Sequence, residues 1–249
     1  MFSKLSDQER LQMAHYDKIS DAYALHYGDK WSQKYRHKFI YRMLFENVNL
    51  ANAKSLDAMC GNGETTSALL YAGAEVTAVD ISEKSIVHVN NQFPQCETRA
   101  CSILNTDFDE NCFDFVVVVG GLHHLHPYMS EAVNEIHRVL KKGGVFSFME
   151  PHAGSLPDVF RKFWYHRDNL FESNEASVNI DKLKQNFTEK FIVKKEHYTG
   201  GLAYLFIFNS LVFRMPRSVK KLYAPMLLLL ETLMNPLFCK RLSCIAVCQ

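Results

Sequence analysis

Between residues 55 and 150, short apolar runs alternate with longer segments that mix apolar and polar positions. The runs 55–59, 75–80, 97–101, 113–119 and 145–149 read as strands. Of these, 113–119 is a β-branched run of the kind buried on both faces of a parallel sheet. The segments 64–72, 83–93 and 129–141 have the composition of helices. Ser82 is placed to cap the second, and Gly143-Gly144 is a stop signal after the third. Strands alternating with helices predict an α/β fold with a doubly wound sheet, and right-handed crossovers leave few topologies open.

The flanks have a different texture. Residues 1–50 are helical in character, with Asp7 as an N-cap for a helix reaching about His15. A second helix over 30–46 would carry Tyr35, Phe39 and Met43 on one stripe. After Pro151 the alternation is lost. Residues 159–166 are aromatic and helical in pattern, 191–198 read as a sixth strand, and 220–238 form a long apolar helix interrupted by Pro225 and Pro236. A last strand is expected over 243–248. About 40 residues separate it from the sixth, too many for a bare loop. The chain divides into a helical cover (1–50), a core (51–150) and a C-terminal part (151–249), expected to form one structural domain.

One stretch concentrates the chemistry. Leu56-Asp57-Ala58-Met59-Cys60-Gly61-Asn62-Gly63 runs from strand to glycine turn to helix, which brings backbone N–H groups up to a ligand. The next strand ends at Asp80, about 20 residues after the glycines, where a ribose-binding acid is expected. Asp57 lies at the tip of the first strand, where a dinucleotide site would usually carry glycine or an apolar residue.

These residues resemble the first two motifs of class I S-adenosylmethionine-dependent methyltransferases. Phe113 to Val119 with Leu122-His123-His124-Leu125, and Glu135 to Gly144, resemble two further motifs in the same order. The resemblance covers about residues 55 to 150 and departs from the family at Met59, where a third glycine is usual. It implies a Rossmann-like sheet of seven strands, mostly parallel with an antiparallel last strand, plus N-terminal helices and a helical cap inserted before that strand. It also implies S-adenosyl-L-methionine as cofactor, with S-adenosyl-L-homocysteine as product. Carried onto this chain, the cofactor-binding residues are Asp57, Ala58, Gly61, Gly63, Asp80, Ile81, Ser102, Ile103, Val119 and Gly120. Tyr16 and Tyr23, on the N-terminal segment, would close over the site. Ser102 stands where the family often has an acid bound to the adenine amine.

Composition narrows the partners. Lys plus Arg number 28 against 27 Asp plus Glu, which gives no nucleic-acid footprint. Seven cysteines without a CxxC pair suit free thiols in a reducing cytosol, so a cytoplasmic location is expected. Residues 1–15 are polar, without the pattern of a signal peptide, and the apolar run 226–230 is too short to span a bilayer.

Methyl transfer is an in-line displacement at carbon, so most of the rate comes from positioning, and a base is needed only for an acceptor that must lose a proton early. His123, His126 and His152 are the candidates for contact with the acceptor, with Glu150 on the same rim, while His124 reads as structural. No residues have metal-ligand spacing, and no metal is expected. The apolar, aromatic and basic residues between Pro151 and Phe238, among them Trp164, Tyr165, Phe206 and Arg217, suit a small or medium acceptor that is amphipathic, lipid-linked or sugar-containing, with peripheral contact at a membrane surface. Two rival readings are a catalytically idle cofactor-binding partner protein and an NAD-dependent oxidoreductase. The sequence does not specify an oligomeric state.

Overall fold

The computed structural model describes residues 6–165 and 176–249. His166 and the side chains of Trp164, Tyr165 and Arg217 lie outside the described residues. The chain gathers into two compact units. One comprises Met1–Ser20, Phe45–Phe148 and Gln249, the other Asp21–Leu44 and Met149–Cys248. Helix α1 (Asp7–Tyr27) and strand β5 (Leu140–Pro151) each run from one unit into the other. The hydrogen-bonding order of the sheet is β3-β2-β1-β4-β5-β7-β6, with β1 (Lys54–Ala58), β2 (Glu75–Asp80), β3 (Glu97–Ala100), β4 (Phe113–Val119), β6 (Glu196–Thr199) and β7 (Ile245–Cys248). The pairs β1·β2, β1·β4 and β2·β3 are parallel, and β6·β7 is antiparallel.

In the first unit β1 is central, with Leu56 registered against Thr77 on one side and Val116 on the other. Leu56, Ala78, Val79 and the run from Phe115 to Val118 are fully buried, as a β-branched run covered on both faces should be. Around them lie α4 (Glu64–Tyr71), α5 (Glu83–Gln92) and α6 (Met129–Val139). Ser82 caps α5, accepting from Ser85 N at 3.1 Å. Helix α1 is longer than its sequence pattern suggests, and its cap is Ser6 rather than Asp7. Ser6 N donates to Glu9 Oε2 at 2.8 Å and Glu9 N donates to Ser6 Oγ at 3.2 Å, a reciprocal capping box. At the other end α6 stops two residues early. Leu140 is already extended, and the glycine pair belongs to the beginning of β5. Gly143 takes φ +81°, and a Cβ on Gly144 would lie 2.9 Å from the Lys141 carbonyl oxygen, so the glycines serve a bend in the strand rather than a helix terminus.

In the second unit Asp29 caps α2 (Lys30–Arg36), accepting from Trp31 N at 2.8 Å. The helix then passes into a π-helical turn, His37–Tyr41, before α3 (Arg42–Leu44). The wider turn shifts the phase of the apolar stripe. Ile40, Tyr41 and Leu44 join Tyr35 and Phe39 inside, and Met43 is left half-buried. Helices α7 (Leu156–Tyr165), α8 (Ile180–Asn186) and α9 (Arg217–Met234) follow, with a second π-helical turn at Tyr204–Phe208. Pro225 lies within α9, on an exposed position, and Pro236 lies in the 3₁₀ turn Asn235–Leu237 that closes it.

Two buried charges fasten α9. Lys220 donates to His26 O at 3.1 Å, Ser32 Oγ at 2.8 Å and Ser210 Oγ at 2.9 Å, and it pairs with Asp29. Three turns later Glu231 accepts from Tyr35 Oη at 2.8 Å, Gly201 N at 3.0 Å and Ala203 N at 2.6 Å. Burial raises the Glu231 pKa, and these donors oppose the rise. Removing the carboxylate strands several buried donors at once. Glu231→Ala should cost about 3–5 kcal/mol in urea unfolding, whereas Leu233→Ala, on the exposed side of the same helix, should stay within about 0.5 kcal/mol.

Candidate functional site

The site begins where β1 ends. Met59 takes φ +63°, Gly61 +52° and Gly63 +85°, so the turn passes through the left-handed region three times. A side chain there costs roughly 1–2 kcal/mol, and Met59 bears that cost at the position where the resembling family has glycine. Its thioether packs on Gly121: a Cβ added to that glycine would lie 2.7 Å from Met59 Sδ. At Gly63 a Cβ would press on Val89 at 3.0 Å and Phe93 at 3.2 Å, so this glycine also lets the loop approach α5.

Asp80 joins the two loops. Its Oδ2 accepts from Gly61 N and its Oδ1 from Ser82 N, each at 2.9 Å. Each oxygen keeps a further lone pair, and Asp80 lines a cleft with Met59, Val79, Ile81, Cys101, Ser102, Ile103 and Leu125. Desolvation raises its pKa against the pull of the two N–H groups. Asp57 is different. It is buried, accepts from Thr66 Oγ1 at 2.6 Å, and thereby ties the strand tip to the first turn of α4. Ala58 is fully buried beside it.

Glu9 and Gln12 of α1 also line the cleft, and sequence reasoning missed both. Glu9 Oε2 is held by Ser6, and its Oε1 accepts from Ser102 Oγ. Glu9 therefore brings a carboxylate to the loop where Ser102 replaces the family's acid. The Ser6–Glu9 spacing was visible as a capping box, but that signal marks a helix start and not a ligand site. The same helix reaches the turn before α5, where Ser82 Oγ donates to Asp17 at 2.5 Å, and the segment after β4, where Gln8 Nε2 donates to His126 O at 2.6 Å. Tyr16 Oη hydrogen-bonds His124 Nε2 at 3.1 Å, with the rings edge to face. His123 lies against His124, ring centroids 3.8 Å apart, and follows Gly120, which takes φ +69°. Val119 and His126 are half-buried.

Two expected site residues belong to the second unit. Tyr23 stacks on Tyr27 at 4.7 Å. His152 was expected at a rim with Glu150, but both are fully buried. His152 Nε2 donates to Ser243 O at 2.9 Å, its ring meets Tyr198 edge-on, and burial lowers its pKa. These are the surroundings of a packed histidine, because β5 carries its end into the core instead of out to solvent.

The sequence profile described as "Methyltransferase domain" matches residues 56–148, the span that holds the glycine turn, Asp80 and the histidine segment. A demethylmenaquinone methyltransferase of Staphylococcus epidermidis is 32% identical over 194 residues, covering 72% of this chain and 78% of its own. The chain belongs to the class I S-adenosylmethionine-dependent methyltransferases. It is an enzyme of that class, and S-adenosylmethionine is its cofactor. The nicotinamide and idle-partner readings are set aside by this membership. Among solved structures, the N-methyltransferase NodS of Bradyrhizobium japonicum, in complex with S-adenosyl-L-homocysteine, aligns with TM-score 0.60 at 18% identity, covering 78% of this chain and 92% of its own. The [4+2]-cyclase SpnF aligns with TM-score 0.69 at 12% identity, covering 100% of this chain and 97% of its own. At such identities the likeness concerns the fold. No described helix of this methyltransferase is long and apolar enough to cross a membrane.

Burial raises Asp57 from 3.8 to about 7. An acid with a raised pKa keeps its proton in the folded state where the unfolded chain has already lost it. Its stabilisation is full below the unfolded value and is lost as pH climbs to the folded value. Asp57→Asn should remove this dependence. Chemical denaturation across roughly pH 4 to 7 should show wild type losing up to about 4 kcal/mol relative to the variant.

Proposed function

We propose that this methyltransferase acts on a small, lipid-like, amphipathic acceptor of the quinone class. The observation that carries this reading is the S. epidermidis alignment. It spans 72% of the chain and so extends beyond the domain at 56–148, and its partner is named for a demethylmenaquinone. Similarity confined to the cofactor-binding core would say nothing of the acceptor.

S-adenosylmethionine supplies a methyl group on a positively charged sulfur. The chain's part is to hold donor and acceptor in line and to keep water out. We assign the ribose hydroxyls to Asp80, whose carboxylate is already oriented by Gly61 N and Ser82 N. Gly61 and Gly63 offer backbone to the amino acid end, and Asp57 acts through Thr66 to keep that turn in shape. Ile81, Ile103 and Ser102, with Glu9 behind Ser102, suit a flat ring with a polar edge. Val119 and Gly120 are assigned to the methionine portion. Tyr16 covers the site through His124. His123 and His126, half-buried beside Gly120 and Leu125, are assigned to the acceptor. His152 is given a packing role.

Two outcomes test this. Asp80→Ala should weaken S-adenosyl-L-homocysteine binding in calorimetry by roughly 1.5–3 kcal/mol, the scale of charged hydrogen bonds, while NADH binds neither protein. With S-adenosylmethionine and EDTA present throughout, a demethylated quinone with a shortened isoprenoid tail should gain one CH₂ by mass spectrometry. Turnover on sugars or nucleotide-sugars in its place would refute the quinone assignment while leaving the cofactor site intact.

A further inference from the structure

Helix α9 is buried on one face and apolar on the opposite, exposed one. Lys220, Ala224, Leu228 and Glu231 repeat at helical spacing and are buried. On the far side Leu222, Met226, Leu229, Leu230, Leu233 and Leu237 form a stripe along the helix and the turn that closes it. These side chains are 40–75% exposed. A surface helix ordinarily turns polar residues outward, and an apolar stripe of this length left in water marks an interaction surface.

Charge identifies the occupant. Between residues 214 and 241 the sole acidic residue is Glu231, which is 3% exposed and held inward by Tyr35, Gly201 and Ala203. Among the described side chains of the same segment, Arg214, Lys221 and Arg241 are exposed and Lys240 is half-buried, all basic, with Lys240 paired to Asp181. The whole chain is nearly neutral, at formal net charge +1, so this is a local imbalance. Helix α7 repeats the arrangement: Phe160 and Phe163 are 71% and 61% exposed, while its acid, Asp158, is buried. The two segments adjoin, since Leu156 N donates to Arg241 O at 2.8 Å. A second copy of this chain would bring like charges together. An anionic lipid surface answers both halves of the pattern, apolar side chains into the acyl boundary and Lys and Arg at the headgroups. The helix is too short and too charged at its ends to span, which leaves it lying in the interface.

We propose that the exposed face of α9 docks this methyltransferase on an anionic lipid bilayer. The inference stands apart from the acceptor assignment, since docking is read without any acceptor present. The test is co-sedimentation of the full chain with phosphatidylglycerol-containing vesicles, compared with phosphatidylcholine alone. Wild type should partition to the anionic vesicles and be released by salt. The double variant Leu229→Glu, Leu233→Glu should lose roughly tenfold or more in partitioning, because two large apolar side chains no longer enter the acyl boundary. The double variant Lys221→Glu, Arg241→Glu should abolish the preference for anionic lipid. Binding of S-adenosyl-L-homocysteine, unchanged in all of them, shows that the variants are folded. The proposal is overturned if wild type stays in the supernatant, if the leucine variant pellets as wild type does, or if the same substitutions dissolve a dimer and leave vesicle binding untouched.

Discussion

The geometry of the cofactor region depends on one carboxylate. Asp80 ends β2, and its oxygens are claimed separately by Gly61 N on the loop after β1 and Ser82 N at the start of α5. Parallel strands hold these loop tips side by side but do not fix their distance. A charged acceptor between two backbone donors does, and it does so where water is scarce, so each bond is stronger than it would be in solvent. The residual lone pairs on the same oxygens are what the site can offer to a diol. Structure and binding thus draw on one group, and the strained turn through Met59, Gly61 and Gly63 is tolerated because both its ends are tied.

Around that anchor, α1 acts as a side wall rather than a loose cover. Gln8, Glu9, Gln12 and Tyr16 recur at helical spacing and reach the loops after β3 and β4. Glu9 serves two ends at once, closing the capping box with Ser6 and accepting from Ser102. A loop that lacks its own acid is thereby supplied with one from elsewhere in the chain. Tyr16 and His124 join the same wall to the segment that carries His123.

The second unit solves a different problem. Its long helix α9 must be held in place although half its circumference is apolar and exposed. Apolar packing alone would turn the leucine-rich face inward, because the face that is buried carries only Ala224 and Leu228 beside its two charges. Lys220 and Glu231 decide it, since each is stable only where its full set of partners waits. The buried charges therefore set the rotation of α9 and, with it, the side that is presented outward. SpnF, named a [4+2]-cyclase, has a similar fold over the whole chain. Such a scaffold can carry more than one chemistry, and the chemistry is decided by side chains at the site.

The strand and helix pattern of the core was legible because it rests on local causes. The β-branched run at 113–119 has one stable use, the Ser82 cap is a contact within one turn, and the spacing from the glycines to Asp80 follows from the length of one helix and one strand. The pattern at 30–46 misled because a π-helical turn inserts a residue and shifts the stripe, a choice made by packing that has no local signature. The glycine pair at 143–144 looked like a helix stop because a bend in a strand and a helix terminus need the same backbone freedom. What only the tertiary structure decided were encounters between distant segments. Glu9 meets Ser102 across 93 residues, and His152 is turned into the core by Ser243 across 91. Periodicity reports which side of an element is apolar. It does not report which other element will cover that side, and that is why the strand-tip acid could be read directly from the sequence, whereas the acid on α1 and the outward face of α9 could not.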